Sequence, residues 1–230
     1  MFARRPLGGY PPPDMRALEN HGETQAPDGT TLSLHKLGAH WMIRTQGRDL
    51  MTSRFHGSEE AMARLTCRAE TRQVLVGGLG MGFTLRAALE AAPDATVTVA
   101  ELVPGLVVWN EGSLGPLANH PLRDPRTRVH LGDVAVLLRD GPRRWDVVLL
   151  DVDNGPDAFT RAENASLYSV RGLRRARATL RPGGVLAIWS AYPADAIVPT
   201  LADAGFRPEA VRVRAHGGKG ARHVIYLGWG

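Results

Sequence analysis

Residues 74–89 read VLVGGLGMGFTLRAAL. Val74, Leu75 and Val76 enter a cluster of glycines (Gly77, Gly78, Gly80 and Gly82), and a helical pattern leaves it. A strand that turns through glycines into a helix opens many nucleotide-binding βα units, because glycine lets the backbone bend tightly and approach a ligand closely. Glycine-rich turns also arise for packing reasons alone. The dinucleotide fingerprint asks for a further glycine where Phe83 stands, and no Gly-Lys-Ser/Thr is present for a P-loop.

Outward from this turn the chain alternates strand and helix. Strands are expected at 73–77, 96–101, 128–131, 145–151 and 185–190, with helical patterns at 82–92, 104–112, 134–140, 166–180 and 194–204 between and after them. Such alternation predicts an α/β fold with a mostly parallel sheet covered on both faces. The ending departs from it: FRPEAVRVRA and RHVIYLGW are joined by HGGKGA with no helix between, which predicts an antiparallel C-terminal hairpin. Upstream, TLSLHKLGAHWMIRTQGRDLMTSR alternates and breaks at Gly38 and Gly47, the pattern of a small β-meander, and GSEEAMARLTCRA reads as a helix capped by Ser58. The organisation expected is a loose arm over residues 1–28, a meander and helix over 29–70, and a catalytic domain over 71–230.

Composition narrows the class. A 43% hydrophobic chain of 230 residues can bury a substantial core, and no run reaches the length of a membrane span. The single cysteine, Cys67, excludes an internal disulfide and an all-cysteine metal site, and no spacing of His, Cys and Asp suggests a metal ion. The start has no secretory character, so the cytoplasm is the expected compartment. The net charge of +5 comes from scattered arginines with no recognised nucleic-acid motif, so nucleic acid is not the expected partner.

Three acids fall at the ends of expected strands. Glu101 closes the second, Asp133 follows the third and Asp151 ends the fourth, so all would gather at the carboxyl edge where open α/β sheets bind ligands. Each has an ordinary alternative: an exposed strand end, a helix N-cap and a turn former. Their coincidence with the glycine turn favours a nucleoside site with Glu101 on the ribose.

These segments, with WDVVLLDVDNGP and LYSVRGLRRARATLRPGGVLAIWS, resemble the spermidine synthase-like branch of the class I S-adenosylmethionine (SAM) methyltransferase superfamily. The resemblance covers residues 73 to about 190 and implies a Rossmann-like seven-stranded methyltransferase sheet whose last strand is antiparallel. It implies that Gly78, Gly80 and Gly82 meet the sulfonium end of the cofactor, Glu101 the ribose, and Asp133 with the backbone of Val134 the adenine; Met81, Leu102 and Asp151 are further candidates for cofactor binding. Asp151 falls where the family keeps an aspartate serving the incoming amine, with Asp153 and Asn154 as its polar neighbours. Polyamine synthases carry an aspartate in the glycine loop that holds the bare amine tail of decarboxylated SAM, and this chain has Met81 there. The acceptor-holding tyrosine of their first helix is also missing around FHGSEEAM.

From Met81 the expectation is methyl transfer from SAM to a small amine or hydroxyl acceptor, with Asp151 as base or amine-orienting group. The alternatives are aminopropyl transfer from decarboxylated SAM and a non-catalytic nucleoside-binding module. Tyr168 and His56 are candidates for the acceptor pocket, whereas His216 and His223 read mainly as solvated residues of the hairpin. The small sheet, with its exposed edge, predicts a homodimer or larger assembly.

Overall fold

Leu75 faces one side of a sheet while Val74 and Val76 face the other, and all three are fully buried. That two-sided burial makes their strand, β5 (Gln73–Gly77), the interior of a parallel sheet rather than a half-wet one. The computed structural model describes residues 17–151, 166–216 and 219–230.

Ahead of β5 the chain forms β1 (Glu19–Gln25), β2 (Thr31–Leu37), β3 (His40–Thr45), β4 (Arg48–Thr52) and the helix α1 (Gly57–Thr66). After it come α2 (Phe83–Ala91), β6 (Thr96–Glu101), α3 (Pro104–Glu111), β7 (Thr127–Leu131), α4 (Val134–Leu137) and β8 (Trp145–Leu150). The chain closes with α5 (Val170–Thr179), β9 (Leu180–Ser190), α6 (Ile197–Asp203), β10 (Arg207–His216) and β11 (Lys219–Trp229). Strands β1 to β4 form an antiparallel sheet, and the other seven are ordered β10-β11-β9-β8-β5-β6-β7. In that sheet only β11 runs against its neighbours β9 and β10. This is the Rossmann-like architecture expected, with the antiparallel ending.

Both faces of the large sheet are covered. Leu173 of α5 and Leu201 of α6 pack with Leu75, Leu150 and Ile188 on one face. Met62 of α1 and Leu85 of α2 pack with Val74, Val76 and Leu149 on the other. Among the described residues, the small sheet has no core of its own. Leu34, Trp41 and Ile43 bury themselves against Met81, Phe83, Leu106 and Trp109, so this sheet sits over the glycine turn and α3.

Two local expectations are corrected. The strand β1 lies within the stretch read as a loose arm; it is a polar strand paired, among the described residues, only with β2 and bent near Gly22, so its period-two pattern carries little apolar signal. Helix α1 begins at Gly57 with His56, not Ser58, at the N-cap position. Ser58 is completely buried, and its hydroxyl is engaged by Glu59 and His223 rather than by the helix end. Among the described residues, no helix is long and apolar enough to cross a membrane.

Candidate active site

The strand ends are stitched at one level. The amide of Asp151 donates to the Gly77 carbonyl, that of Gly78 to Ala100 and that of Gly132 to Glu101, each at 2.8 Å. Parallel register therefore brings the glycine turn, Glu101 and Asp151 to a single edge, as the sequence predicts.

The turn needs its glycines. Gly80 and Gly82 have φ of +53° and +83°, in the left-handed region that disfavours side chains. A Cβ on Gly82 would also lie 2.9 Å from Asn110 Oδ1. Asn110 clamps the turn from α3: its Nδ2 donates to the Gly80 carbonyl and to the Leu106 carbonyl, both at 2.8 Å. Sequence reasoning missed this residue, although a polar side chain inside the apolar helix GLVVWNE was a usable signal.

Glu101 is buried, and its carboxylate accepts from the Leu79 amide at 2.9 Å and the Val103 amide at 2.8 Å. Burial pushes its pKa up, against the pull of these amides. The carboxylate thus ties the glycine loop to the start of α3 from within the wall of the cavity below. Asp133 caps α4 by accepting from the Ala135 amide at 2.8 Å, and it also faces the cavity below.

A cavity of about 270 Å³ opens between the small sheet and this edge. Gly78, Gly80, Glu101, Leu102, Asp133, Val134 and Asp151 all line it, joined by Asp28 of the small sheet's first turn. Its wall thus holds four carboxylates (Asp28, Glu101, Asp133 and Asp151) and, among the described lining residues, no Lys, Arg or His. Met81, Gly82, His56 and Tyr168 are not part of that wall. Met81 is 3% exposed and turned into the core shared with the small sheet. Tyr168 is buried in the core beneath α5 and α6, and His56 stacks on Phe83 at 4.1 Å with Nδ1 2.7 Å from Glu60. Glu60 also pairs with Arg64 and Arg86, so His56 belongs to a brace between α1 and α2. Asp153 and Asn154 lie outside the described residues.

At the end of β8, Asp151 Oδ2 accepts from the Thr84 hydroxyl at 2.8 Å. Burial pushes its carboxyl up to about 6. Glu59 on α1, also missed from sequence, is pushed up to about 7 by burial first and then by the charge of Asp151. Its place in GSEEAM looks like an ordinary acidic helix start, and only the fold turns it toward Asp151. Among the described residues, no cluster of three or more His, Cys, Asp or Glu could hold a metal ion.

No protein-family model matches the chain. It is 32% identical over 123 residues to polyamine aminopropyltransferase 2 of Pseudomonas aeruginosa, covering 52% of this chain and 33% of that protein. It is 32% identical over 141 residues to polyamine aminopropyltransferase 1 of Streptomyces coelicolor, covering 58% of this chain and 26% of that one. The matches to these two relatives thus span a third or less of their length. Among solved structures, spermidine synthase from Thermotoga maritima superposes with a TM-score of 0.73 at 15% identity, over 91% of this chain and 72% of that one. Spermidine synthase in complex with the transition-state analogue AdoDATO gives 0.72 at 14% identity, with the same coverage of 91% and 72%.

These likenesses correct the expectation of methyl transfer, because the relatives are aminopropyltransferases. The physical premise fails too: the expected place of Met81 beside the cofactor tail is not met, since its side chain is buried in the core shared with the small sheet and lies outside the cavity wall. In sequence the chain is similar to polyamine aminopropyltransferases, and in fold to spermidine synthases, the spermidine synthase-like branch of the class I SAM methyltransferase fold.

Proposed function

We propose that the chain transfers the aminopropyl group of decarboxylated SAM to an aliphatic di- or polyamine. The observation that carries this reading is the cavity wall of four carboxylates without a basic side chain among its described residues. Decarboxylated SAM is a sulfonium with a bare ammonium tail, and its acceptor enters as an ammonium. Both gain from such a wall, whereas the α-carboxylate of SAM would meet like charge in a partly desolvated space.

In this reading Gly78 and Gly80 allow the nucleoside to approach the backbone. Glu101 with Leu102 holds the ribose, and Asp133 with Val134 borders the adenine. Asp151 orients the acceptor nitrogen and takes its proton. Aminopropyl transfer needs the nitrogen lone pair in line with the C–S bond, so positioning and proton removal are the main work of the site. The decisive experiment incubates the protein with decarboxylated SAM and a panel of aliphatic diamines and polyamines, following methylthioadenosine and the extended amine by mass spectrometry. Methylthioadenosine release that depends on the amine supports the reading; binding of the nucleoside without turnover for any amine refutes it.

The proposal extends to a homodimer joined through the small sheet, whose outer strands β1 and β4 each have an unpaired edge among the described residues. A monomer by sedimentation at micromolar concentration would exclude it.

A further inference from the structure

Helix α1 carries a buried polar chain that the roles above do not use. The Ser58 hydroxyl donates to Glu59 Oε2 at 2.6 Å, and Ser58 Oγ lies 2.8 Å from Nδ1 of His223 on β11. Ser58 is completely buried and His223 half-buried, edge-on to the Trp189 ring at 5.0 Å between centroids. The chain therefore joins helix α1 to the last strand of the sheet through residues 165 apart in sequence.

A hydroxyl has one hydrogen and two lone pairs, and imidazole can carry its proton on either nitrogen. With Glu59 ionised, hydrogen bonds run from His223 Nδ1–H to Ser58 and from Ser58 to Glu59. With Glu59 protonated, every bond can reverse, and the imidazole then presents Nε2–H away from Ser58. A hydrogen-bonded row that works in both directions can move a proton along its length.

The groups around Glu59 suit that task. The charge of Asp151, at the end of β8, acts on Glu59, and Asp151 itself is held by Thr84 of α2. Glu60 and His56 on α1, and Arg86 from α2, are engaged with one another. Among the described residues, no Lys or Arg forms an ion pair with Glu59, so its charge is left to Asp151, Ser58 and the solvent. Burial holds His223 below its usual range, leaving a neutral imidazole that can accept as well as donate.

We propose that Glu59 is the proton-holding partner of Asp151, and that Ser58 and His223 are positioning residues that carry the released proton away from the cavity. This rests on aminopropyl transfer as the reaction. The acceptor arrives as an ammonium, and one N–H proton passes to the Asp151–Glu59 pair. The freed lone pair forms the new N–C bond, while the electrons of the C–S bond return to sulfur and leave a neutral thioether. The product nitrogen is a secondary ammonium, so one proton per turnover remains on the carboxyl pair and has to leave.

The first test needs no substrate: carbon-13 NMR titration of the glutamate carboxyls in the full chain, with Glu59→Gln to assign the resonance. Glu59 is expected to titrate at about 7, higher in Ser58→Ala, which removes the bond favouring its charged form, and lower in Asp151→Asn. The second test is kinetic. Ser58→Ala and His223→Gln should lower kcat roughly tenfold or more with the KM for decarboxylated SAM unchanged and the acid limb of the pH profile displaced, and Ser58→Thr should restore the rate. A wild-type Glu59 that titrates near 4.5, or a Ser58→Ala variant with the wild-type rate and pH profile, overturns the proposal. A chain that shows the linked titration yet releases no methylthioadenosine with any amine overturns aminopropyl transfer, and the relay's part in it, while leaving the carboxyl pair in place.

Discussion

Replacing Asn110 with alanine should loosen the glycine turn from behind. The side chain is 1% exposed, and its Nδ2 holds the Gly80 and Leu106 carbonyls. Leu106 lies one turn earlier in the same helix and keeps the helical bond from the Asn110 amide, so the loss falls mainly on the Gly80 carbonyl. Stranding a buried carbonyl costs about 1–3 kcal/mol, and the space left by the amide adds on the order of 1 kcal/mol. The sum, about 2–4 kcal/mol, should lower Tm by roughly 5–15 °C in a chain of this size. Differential scanning calorimetry measures it, and titration with methylthioadenosine should show weaker binding, because the turn that borders the cavity has lost its brace. Asn110→Asp separates the causes: it keeps the volume but cannot donate to either carbonyl, so it should be at least as damaging. A Tm within about 2 °C of wild type for Asn110→Ala, or full stability for Asn110→Asp, would refute the clamp.

Three other perturbations have definite expected outcomes. Gly82→Ala places a side chain at φ +83° and against Asn110, so it should cost about 1–3 kcal/mol and weaken nucleoside binding, measured by chemical denaturation and calorimetry. Met81→Leu should be tolerated, while Met81→Asp should be strongly destabilised by an unpaired buried carboxylate rather than gain affinity for decarboxylated SAM; equal melting temperatures for the two would contradict the buried placement. The third concerns pH. Glu59 and Asp151 are held above their ordinary values, at about 7 and about 6, so the stability they contribute is complete below about pH 4 and is lost as pH rises through 6 to 7. Glu59→Gln should therefore lose less stability than wild type between pH 5 and 8, by about 2 kcal/mol after allowance for partial solvent access, and parallel urea-melt profiles for the two proteins would exclude this.

The large sheet was legible because its strands are short apolar runs bounded by glycine or acid and separated by helical periods. That local signal placed QVLVG at 73–77 and TVTVAE at 96–101 where β5 and β6 form. It failed for β1, whose residues are mostly polar because an edge strand of a small sheet buries little. Strand-end position also brought Glu101, Asp133 and Asp151 to one cavity, since parallel strands in register end on the same edge of a sheet. Side-chain direction was a different matter. Met81 stands in the loop that borders the cavity, yet a backbone that alternates through left-handed glycines sends its side chain into the core with Leu34 and Phe83. Likewise Ser58 and Glu59 look like a helix cap and a solvated acid until β11 sets His223 against them. The periods of strands and helices are short-range properties written in neighbouring residues. The facing of a loop side chain, the burial of a carboxyl and the meeting of α1 with β11 depend on which distant surfaces close over them, and they arise only when the chain has packed.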